Sequence, residues 1–357
     1  MTDALTPFKA PKRVWVLLGP HRGDNNQVLA LAEALGLPFE TKPLRHNQWR
    51  RLRPRLLGAS LRSLTPASRA LIAGDPPDLT ISTGHRSVPA VQAIRQRSGG
   101  RTRSIHVGYP RLSPAHFDLV VATPEYPVPD HPHVLRVPFA LSREKKATVL
   151  DPGAQWLATF PAPRRLLAIG GPTRNWALDD KILLATVAQL LAAAARDRGS
   201  VLVVGSPRTP HQVLRTVRQA VADARVPAML VPNDGPPTYP ELLAAADEIF
   251  VTADSVAMVA DAVMTGKPVG LVPIRATGAG RAYMRLMDRL RPRRRVHPRD
   301  LRFFWAELKK QALVGTVERP RSATVPNLTA NVAQRVLRIL SDATRQTQAE
   351  KGSRDPR

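Results

Sequence analysis

At 357 residues with a formal net charge of +25, the chain is too long for one compact core and suits two domains of about 150–200 residues. Hydrophobic residues make up 43% and cysteine is absent, which excludes wholesale disorder, disulfides, thiolate zinc sites and a cysteine nucleophile. No run reaches the ~18 uncharged apolar residues of a membrane span, because residues 183–195 stop short and residues 250–264 are interrupted by Asp254 and Asp261.

In chain order, short apolar runs alternate with helical patterns. The N-terminus has an acid at Asp3, no apolar run before Val14 and no small-residue cleavage site, so no secretory signal is read there and a cytoplasmic chain is expected. Strands are expected over residues 14–18, 79–82, 104–107, 119–122, 166–169, 201–204, 229–231, 248–251 and 269–272, with helices over 27–35, 88–94, 179–195, 212–222, 256–265 and 327–339. Continuous apolar strands separated by helices predict parallel sheets covered on both faces. The five prolines of residues 124–138 suit a rigid connection better than an element interior. The pattern restarts near residue 165, after the Pro- and charge-rich stretch 138–163. The division expected is therefore an N-terminal domain over 1–145, a linker over 146–164, a C-terminal domain over 165–325, a C-terminal helix over 326–345 and a flexible tail over 346–357.

Arginine supplies most of the positive excess, a balance that favours nucleic acid, anionic membrane or phosphorylated small molecules as partners; G/C-rich codon usage gives the same global balance. Two clusters stand out locally. Residues 45–62 contain no acid, with Leu52, Leu56, Leu57 and Leu61 at roughly helical spacing among arginines, and residues 281–302 include Arg293, Arg294 and Arg295.

Four strand-to-helix turns suit an anion, since ligands of open α/β sheets bind past the carboxyl ends of the strands. The first runs from Gly19 and Pro20 through His21, Arg22, Gly23, Asp24, Asn25 and Asn26 to Gln27. It lacks GxGxxG and the Lys-Ser/Thr of a Walker A loop, and Asp24 or Asn25 as a plain helix cap is the competing reading. The second holds Thr83, Gly84, His85 and Arg86; its histidine suits general-base chemistry, or a purely structural role. The third is Gly170, Gly171, Pro172, Thr173, Arg174 and Asn175 ahead of a long helix, a phosphate cradle. The fourth is Thr252, Ala253, Asp254 and Ser255, opening the helix that carries Asp261, an acid placed to reach a ribose diol; an N-cap is the bland alternative. Ser206, Arg208 and Thr209 add a further polar loop, stiffened by Pro207 and Pro210.

The segments GPHRGDNNQVLALAEALGLP, TISTGHRSVPA, IGGPTRNW, SPRTP and VTADSVAMVADAVMTGKPV resemble, in order and spacing, the blocks of the "elongated mitochondria" mitochondrial-fission-factor family over about residues 14–315. Plant members of that family act in mitochondrial division. More distantly the chain resembles MurG-like GT-B glycosyltransferases. That likeness implies an α/β fold of two Rossmann-like domains with a facing cleft. It also implies a donor diphosphate at Gly170–Arg174 and ribose contact from Asp261, with the Gly19–Gln27 turn toward the acceptor. Asp261 stands where a Glu is usual, and the first turn lacks Gly-Gly-His. A short-chain epimerase does not fit, since no GxxGxxG follows the first strand and Tyr283 is followed four residues later by Met287.

The expectation is a metal-independent GT-B-type transferase with no tightly bound cofactor and a nucleoside-diphosphate sugar as substrate. Its expected catalytic residues are Asp24 or His85. Gly19, Arg22, Asn25, Asn26, Gln27, Gly84, Arg86, Gly170, Gly171, Thr173, Arg174, Ser206, Arg208, Thr209, Thr252, Asp254, Ser255 and Asp261 are its expected binding residues. Arg174 or Arg208 would neutralise the leaving diphosphate. The alternative is a non-catalytic adaptor or scaffold at a membrane surface, using the 45–62 patch on anionic lipid at the inner face. Nucleic-acid binding ranks below both, because aromatics are 5% and no recognised module is present.

Overall fold

The computed structural model describes residues 13–142, 152–232, 235–290, 300–325 and 327–352. The Arg293–Arg295 run, the first part of the expected linker (146–151) and the last five residues of the expected tail lie outside them. The chain divides into two units, Met1–Val137 with Leu141–Arg143 and Asn327–Arg357, and Pro138–Ala140 with Glu144–Pro326.

The first unit runs β1 (Val14–Leu18), α1 (Arg22–Ala34), β2 (Glu40–Pro43), α2 (Pro54–Leu57), α3 (Pro66–Ala70), β3 (Leu79–Thr83), α4 (Val88–Arg97), β4 (Arg103–Val107), β5 (Leu119–Ala122) and β6 (Val134–Arg136). The strands form one parallel sheet in the order β2-β1-β3-β4-β5-β6. Successive side chains point to opposite faces, so the sheet builds two cores. Val14, Val16, Leu79, Ile81, Ile105, Val107, Leu119 and Val121 join Val28 and Leu31 of α1. Trp15, Leu17, Val120 and Ala122 join Val88, Val91 and Ile94 of α4. The middle of that second face is polar: Thr80, Ser82, Ser104 and His106 are all buried.

Two strands escape the apolar pattern because they are edges. β2 reads Glu-Thr-Lys-Pro and is largely exposed. β6 lies inside the proline-rich stretch expected to be a connection only; Pro132 and Pro138 flank it, where an edge strand tolerates missing donors. The basic stretch 45–62 is not one amphipathic helix. A 3-10 turn over Gln48–Arg51 and the single turn of α2 end at Gly58, whose φ of 60° breaks the helix. Leu61 is partly buried against the core, while Trp49, Leu52 and Leu56 stay exposed.

The second unit runs α5 (Pro152–Ala158), β7 (Arg164–Ile169), β8 (Trp176–Ala177), α6 (Asp180–Asp197), β9 (Ser200–Gly205), α7 (His211–Ala222), β10 (Ala228–Val231), α8 (Tyr239–Ala245), β11 (Glu248–Thr252), α9 (Val256–Val263), β12 (Val269–Val272), β13 (Arg275–Ala276), α10 (Gly278–Leu290) and α11 (Leu301–Lys310). Its parallel sheet has the order β10-β9-β7-β11-β12, and β8 pairs antiparallel with β13. Leu167, Ile169, Val201 and Val203 pack on Leu183, Val187 and Leu190 of α6 and Val213 and Val217 of α7. Lys267 closes the turn after α9: its ammonium donates to the carbonyls of Leu243, Ala244 and Ala246 at the end of α8.

The last helix, α12 (Leu328–Gly352), returns to the first unit. Val332, Ala333, Val336 and Leu340 recur at helical spacing and complete the core beside α1. Val336 is fully buried there. Val336→Asp is therefore expected to cost about 3 kcal/mol or more by burying an unpaired charge. Hydrogen exchange checks it: protection is lost in β1 and α1 and kept in β7 and β9, whereas equal loss in both units contradicts this packing.

Candidate functional site

Strand order reverses between β1 and β3 in the first sheet and between β7 and β11 in the second. At such switch points the connections leave in opposite directions and the turns past the carboxyl ends stay uncovered. All four turns singled out in the sequence fall at these two places.

In the second unit the turns are tied to one buried carboxylate. The Gly170 N–H donates to Thr252 Oγ1 at 2.7 Å and the Gly171 N–H to Asp254 Oδ2 at 2.8 Å. The Thr252 hydroxyl donates to Asp254 Oδ1 at 2.7 Å. Arg208 donates to the Gly171 carbonyl at 3.1 Å and pairs with Asp254 at 3.3 Å. The Asp254 side chain is 1% exposed and that of Arg208 49%, so one end of the pair is fixed and the other reaches the surface. Burial pushes the Asp254 carboxyl up, against the bonds from Thr252 and Gly171 and the Arg208 charge, which pull it down. Both glycines are required by contact, because a Cβ at Gly170 would overlap the Asp254 carboxylate and one at Gly171 the Arg208 backbone.

The surrounding loops complete this knot. Thr209 Oγ1 accepts from the Ser206 N–H at 2.8 Å and donates to the Ile169 carbonyl at 2.9 Å. One expectation is corrected here. The Gly170–Gly171 turn does not lead into the long helix; it runs into β8, and α6 begins only at Asp180, capped by Asp179. Trp176 causes the detour, pairing with Ala276 and packing edge-on against Trp305 at 4.9 Å. Both glycine amides are thus engaged within the fold. The helix N-terminus at this edge is that of α9, where Ser255 occupies the N-cap but makes no side-chain capping bond. Asp261 lies further along α9 and acts on the half-buried Tyr239, whose hydroxyl donates to the Met258 carbonyl at 3.2 Å.

The sequence reading missed α10. Thr277 opens it, accepting from the Gly280 N–H at 2.9 Å and donating to the Arg174 carbonyl at 3.1 Å. A Cβ at Gly280 would overlap the Asn175 backbone, so Thr173, Arg174 and Asn175 are docked on the start of α10. The Arg174 side chain is exposed. The signal was present as Thr277-Gly278-Ala279-Gly280, a hydroxyl followed by small residues at a helix start, within a stretch that otherwise reads as charge.

In the first unit α1 starts at Arg22, earlier than its apolar periodicity suggests, with His21 as N-cap and no side-chain capping bond. Asp24, Asn25, Asn26 and Gln27 therefore lie in the first two turns of the helix, and neither Asp24 nor Asn25 is the cap. Asn25 folds back on the turn: its Oδ1 accepts from the Gly19 N–H at 2.8 Å and its Nδ2 donates to the Gly19 carbonyl at 2.9 Å. After β3, Gly84 adopts φ 69°, in the left-handed region that favours glycine. Ser87 Oγ donates to the Thr83 and Gly84 carbonyls at 2.9 and 2.8 Å, which fixes His85 and Arg86. Beneath them Ser82 Oγ meets His106 Nδ1 at 3.0 Å across paired strands. Burial first, and then Arg111, Arg86, His46 and His21, push His85 down to about 4. Burial and His85 push His106 to about 3. His46 is lowered as well, by burial and then by Arg86. Among the described residues no group of three or more His, Cys, Asp or Glu is placed to hold a metal ion.

The profile of the family described as mitochondrial fission ELM1 matches residues 22–340. The chain belongs to this family. A relative, mitochondrial fission protein ELM1 of Arabidopsis thaliana, is 26% identical over 244 residues, covering 61% of this chain and 56% of its own length. This family member thus spans about half the length of the plant relative it matches. Among solved structures, a UDP-GlcNAc 2-epimerase from Neisseria meningitidis bound to UDP-GlcNAc is similar at TM-score 0.51 and 12% identity, covering 92% of this chain and 99% of that one. A MurG from Acinetobacter baumannii gives TM-score 0.46 at 12% identity, covering 91% and 98%. The likeness to the first is one of fold: two Rossmann-like domains, as in GT-B proteins.

The paired histidines make acid stability diagnostic in this ELM1-family chain. In the unfolded state each ring takes up its proton near 6.5, and in the folded state only near 4 at His85 and near 3 at His106. Folding is therefore undiminished by them above pH 6.5 and loses about 1.4 kcal/mol per pH unit for each ring as the pH falls from 6.5 toward 4. Urea unfolding at pH 7 and pH 5 checks this: His106→Asn flattens the dependence by one ring's share, and an unchanged slope shows that His106 is not held neutral.

Proposed function

We propose that this chain is a GT-B-type glycosyltransferase whose second unit binds a nucleoside-diphosphate sugar. The observation that carries the reading is the arrangement between β7 and β11. The buried Asp254, Arg208 and Gly171 knot holds the start of α9, whose N-cap Ser255 makes no side-chain capping bond, while exposed Arg174, in the loop that follows Gly171, is held to the start of α10 through Thr277. An uncapped helix N-terminus offers amide donors and positive dipole to a diphosphate, and Arg174 or Arg208 adds the neutralising charge. Thr252 and Asp254 then act as the frame of the site, with Ser206 and Thr173 on its rim and Asp261 toward the ribose.

In the transfer, the bond from the anomeric carbon to the diphosphate oxygen breaks and a bond to an acceptor oxygen forms. The acceptor's hydroxyl proton passes to a base and the nucleoside diphosphate leaves. His85, neutral at pH 7 because of its lowered pKa, or Asp24 in the first turn of α1 takes that proton, and the turns bearing Gly19 and Arg86 contact the acceptor. No tightly bound cofactor is required. A thermal-shift panel tests the donor half: UDP, GDP or a related nucleotide is expected to raise Tm by several degrees, and Arg174→Ala to abolish the rise. Indifference to every nucleotide in the panel overturns the reading.

Peripheral membrane contact is proposed on a separate observation. Trp49 is 49% and Leu56 72% exposed, with Leu52 beside them, and Arg50, Arg51, Arg53 and Arg55 alternate with them. Among the described residues no helix is long and apolar enough to cross a membrane, so contact would be by apolar anchors and anionic headgroups at the surface. Flotation with vesicles containing phosphatidylserine is expected to carry the protein upward, and Trp49→Ser with Leu56→Ser to leave it at the bottom. Equal flotation on neutral vesicles removes the electrostatic part of the proposal.

A further inference from the structure

The first unit gathers a second set of groups that the donor reading does not use. His46 follows β2, His21 follows β1, His85 and Arg86 follow β3, and Arg111 follows β4. These are four adjacent strands of one parallel sheet, so the five residues collect past the same edge, at its switch point. The charges that act on His85 come from Arg111, Arg86, His46 and His21, and no carboxylate is among them; Asp24 of α1 is not one of them either. Arg50 adds a further positive charge that acts on His46. Among the described residues neither Arg86 nor Arg111 forms an ion pair.

Two of these side chains also hold buried atoms without a hydrogen-bond partner: Arg86 Nε and His46 Nδ1. A buried donor left unsatisfied costs about 1–3 kcal/mol, and more when it is charged. Like charges gathered without an acid add repulsion to that cost. Arg111 also sits at φ 56° in the left-handed region, a conformation disfavoured for arginine. One kind of ligand relieves the first two costs together. A compact dianion accepts from the guanidinium and imidazole donors and neutralises the charges that crowd them.

We propose that His21, His46, His85, Arg86 and Arg111 form a phosphate-binding site on the first unit, separate from the donor site, and that the acceptor is a phosphorylated molecule. The acceptor role rests on the transferase reading; the phosphate site itself does not. The phosphate could be free in solution or displayed on a lipid, the second source being near at hand because His46 begins the basic, apolar surface of Trp49, Leu52 and Leu56. Burial and the positive neighbours favour the neutral His46 and His85 rings in the free protein, and a dianion favours their protonated forms, so binding is expected to take up protons and to tighten as the pH falls. With the phosphate bound, Asp24 and not His85 is left to take the acceptor's hydroxyl proton.

The test titrates the full chain with inorganic phosphate, with sulfate (which keeps its charge over the relevant pH range) and with vesicles containing phosphatidic acid, against chloride at equal ionic strength. The His85 imidazole resonance, identified by its loss in His85→Gln, is followed against pH. Phosphate and sulfate are expected to raise its pKa from about 4 by at least one unit and to raise Tm. Arg86→Gln is expected to abolish both effects. The surface variant Arg111→Gln, which leaves the buried groups in place, is expected to weaken binding at least tenfold if Arg86→Gln does not fold. A response to phosphatidic acid vesicles alone, lost in the same variants, also upholds the site and makes the phosphate lipid-borne. No response to any of the three, or a response that survives both substitutions, overturns it. The UDP shift that depends on Arg174 is read in parallel, so loss of the donor reading and loss of this site give different results.

Discussion

Parallel pairing of the strands is the constraint from which the candidate sites follow. When every strand of a sheet runs the same way, every strand-to-helix turn emerges at one edge, and every following helix presents its positive end there. A sheet that starts in the middle and grows both ways must leave a gap between its first strand and the strand laid on the other side. In the first unit that gap lies between β1 and β3, and in the second between β7 and β11. The backbone topology thus gathers Gly19 with His85, and Gly170 with Asp254, from positions more than sixty residues apart in sequence.

The two gaps are filled differently. In the second unit a buried acid organises the turn: Asp254 takes the hydrogen bonds of Gly171 and Thr252 and the charge of Arg208, and each partner lowers the cost of its burial. What is left outward is an uncapped helix start and two arginines. In the first unit no carboxylate is among the charges that act on His85. Burial first, and then the positive charges around them, favours the deprotonated rings of His85 and His46. The arrangement in the second unit is balanced by its own acid, and an anion from outside is what the phosphate proposal adds to the first.

The closing helix gives the order of the chain a structural meaning. α12 belongs to the core of the first unit although all of the second unit precedes it. Its apolar stripe fits the face formed by α1 and by β1, β3, β4 and β5 of the first sheet, which would otherwise expose Val28 and Leu31. One core is therefore built from residues that precede the second unit and residues that follow it.

The sequence by itself determined the fold class and the position of the turns. Buried parallel strands must be nearly continuous apolar runs, and residues such as Val14 to Leu18 or Val201 to Val204 have no other use for that pattern. It also determined which residues are chemically capable, since glycines, arginines and histidines at strand ends are visible in one dimension. Edge strands were beyond it, because Glu40 to Pro43 and Val134 to Arg136 carry no buried face to mark them. The start of α1 was hidden for a related reason: Arg22 to Gln27 carries no apolar side chain to mark a buried face, and Asn25 instead bonds the Gly19 backbone. Only the tertiary structure decided the state of each group. Whether a glycine amide is free or bound, whether a histidine is charged, and whether an arginine has a partner depend on atoms brought together from distant parts of the chain, and local spacing carries no record of them.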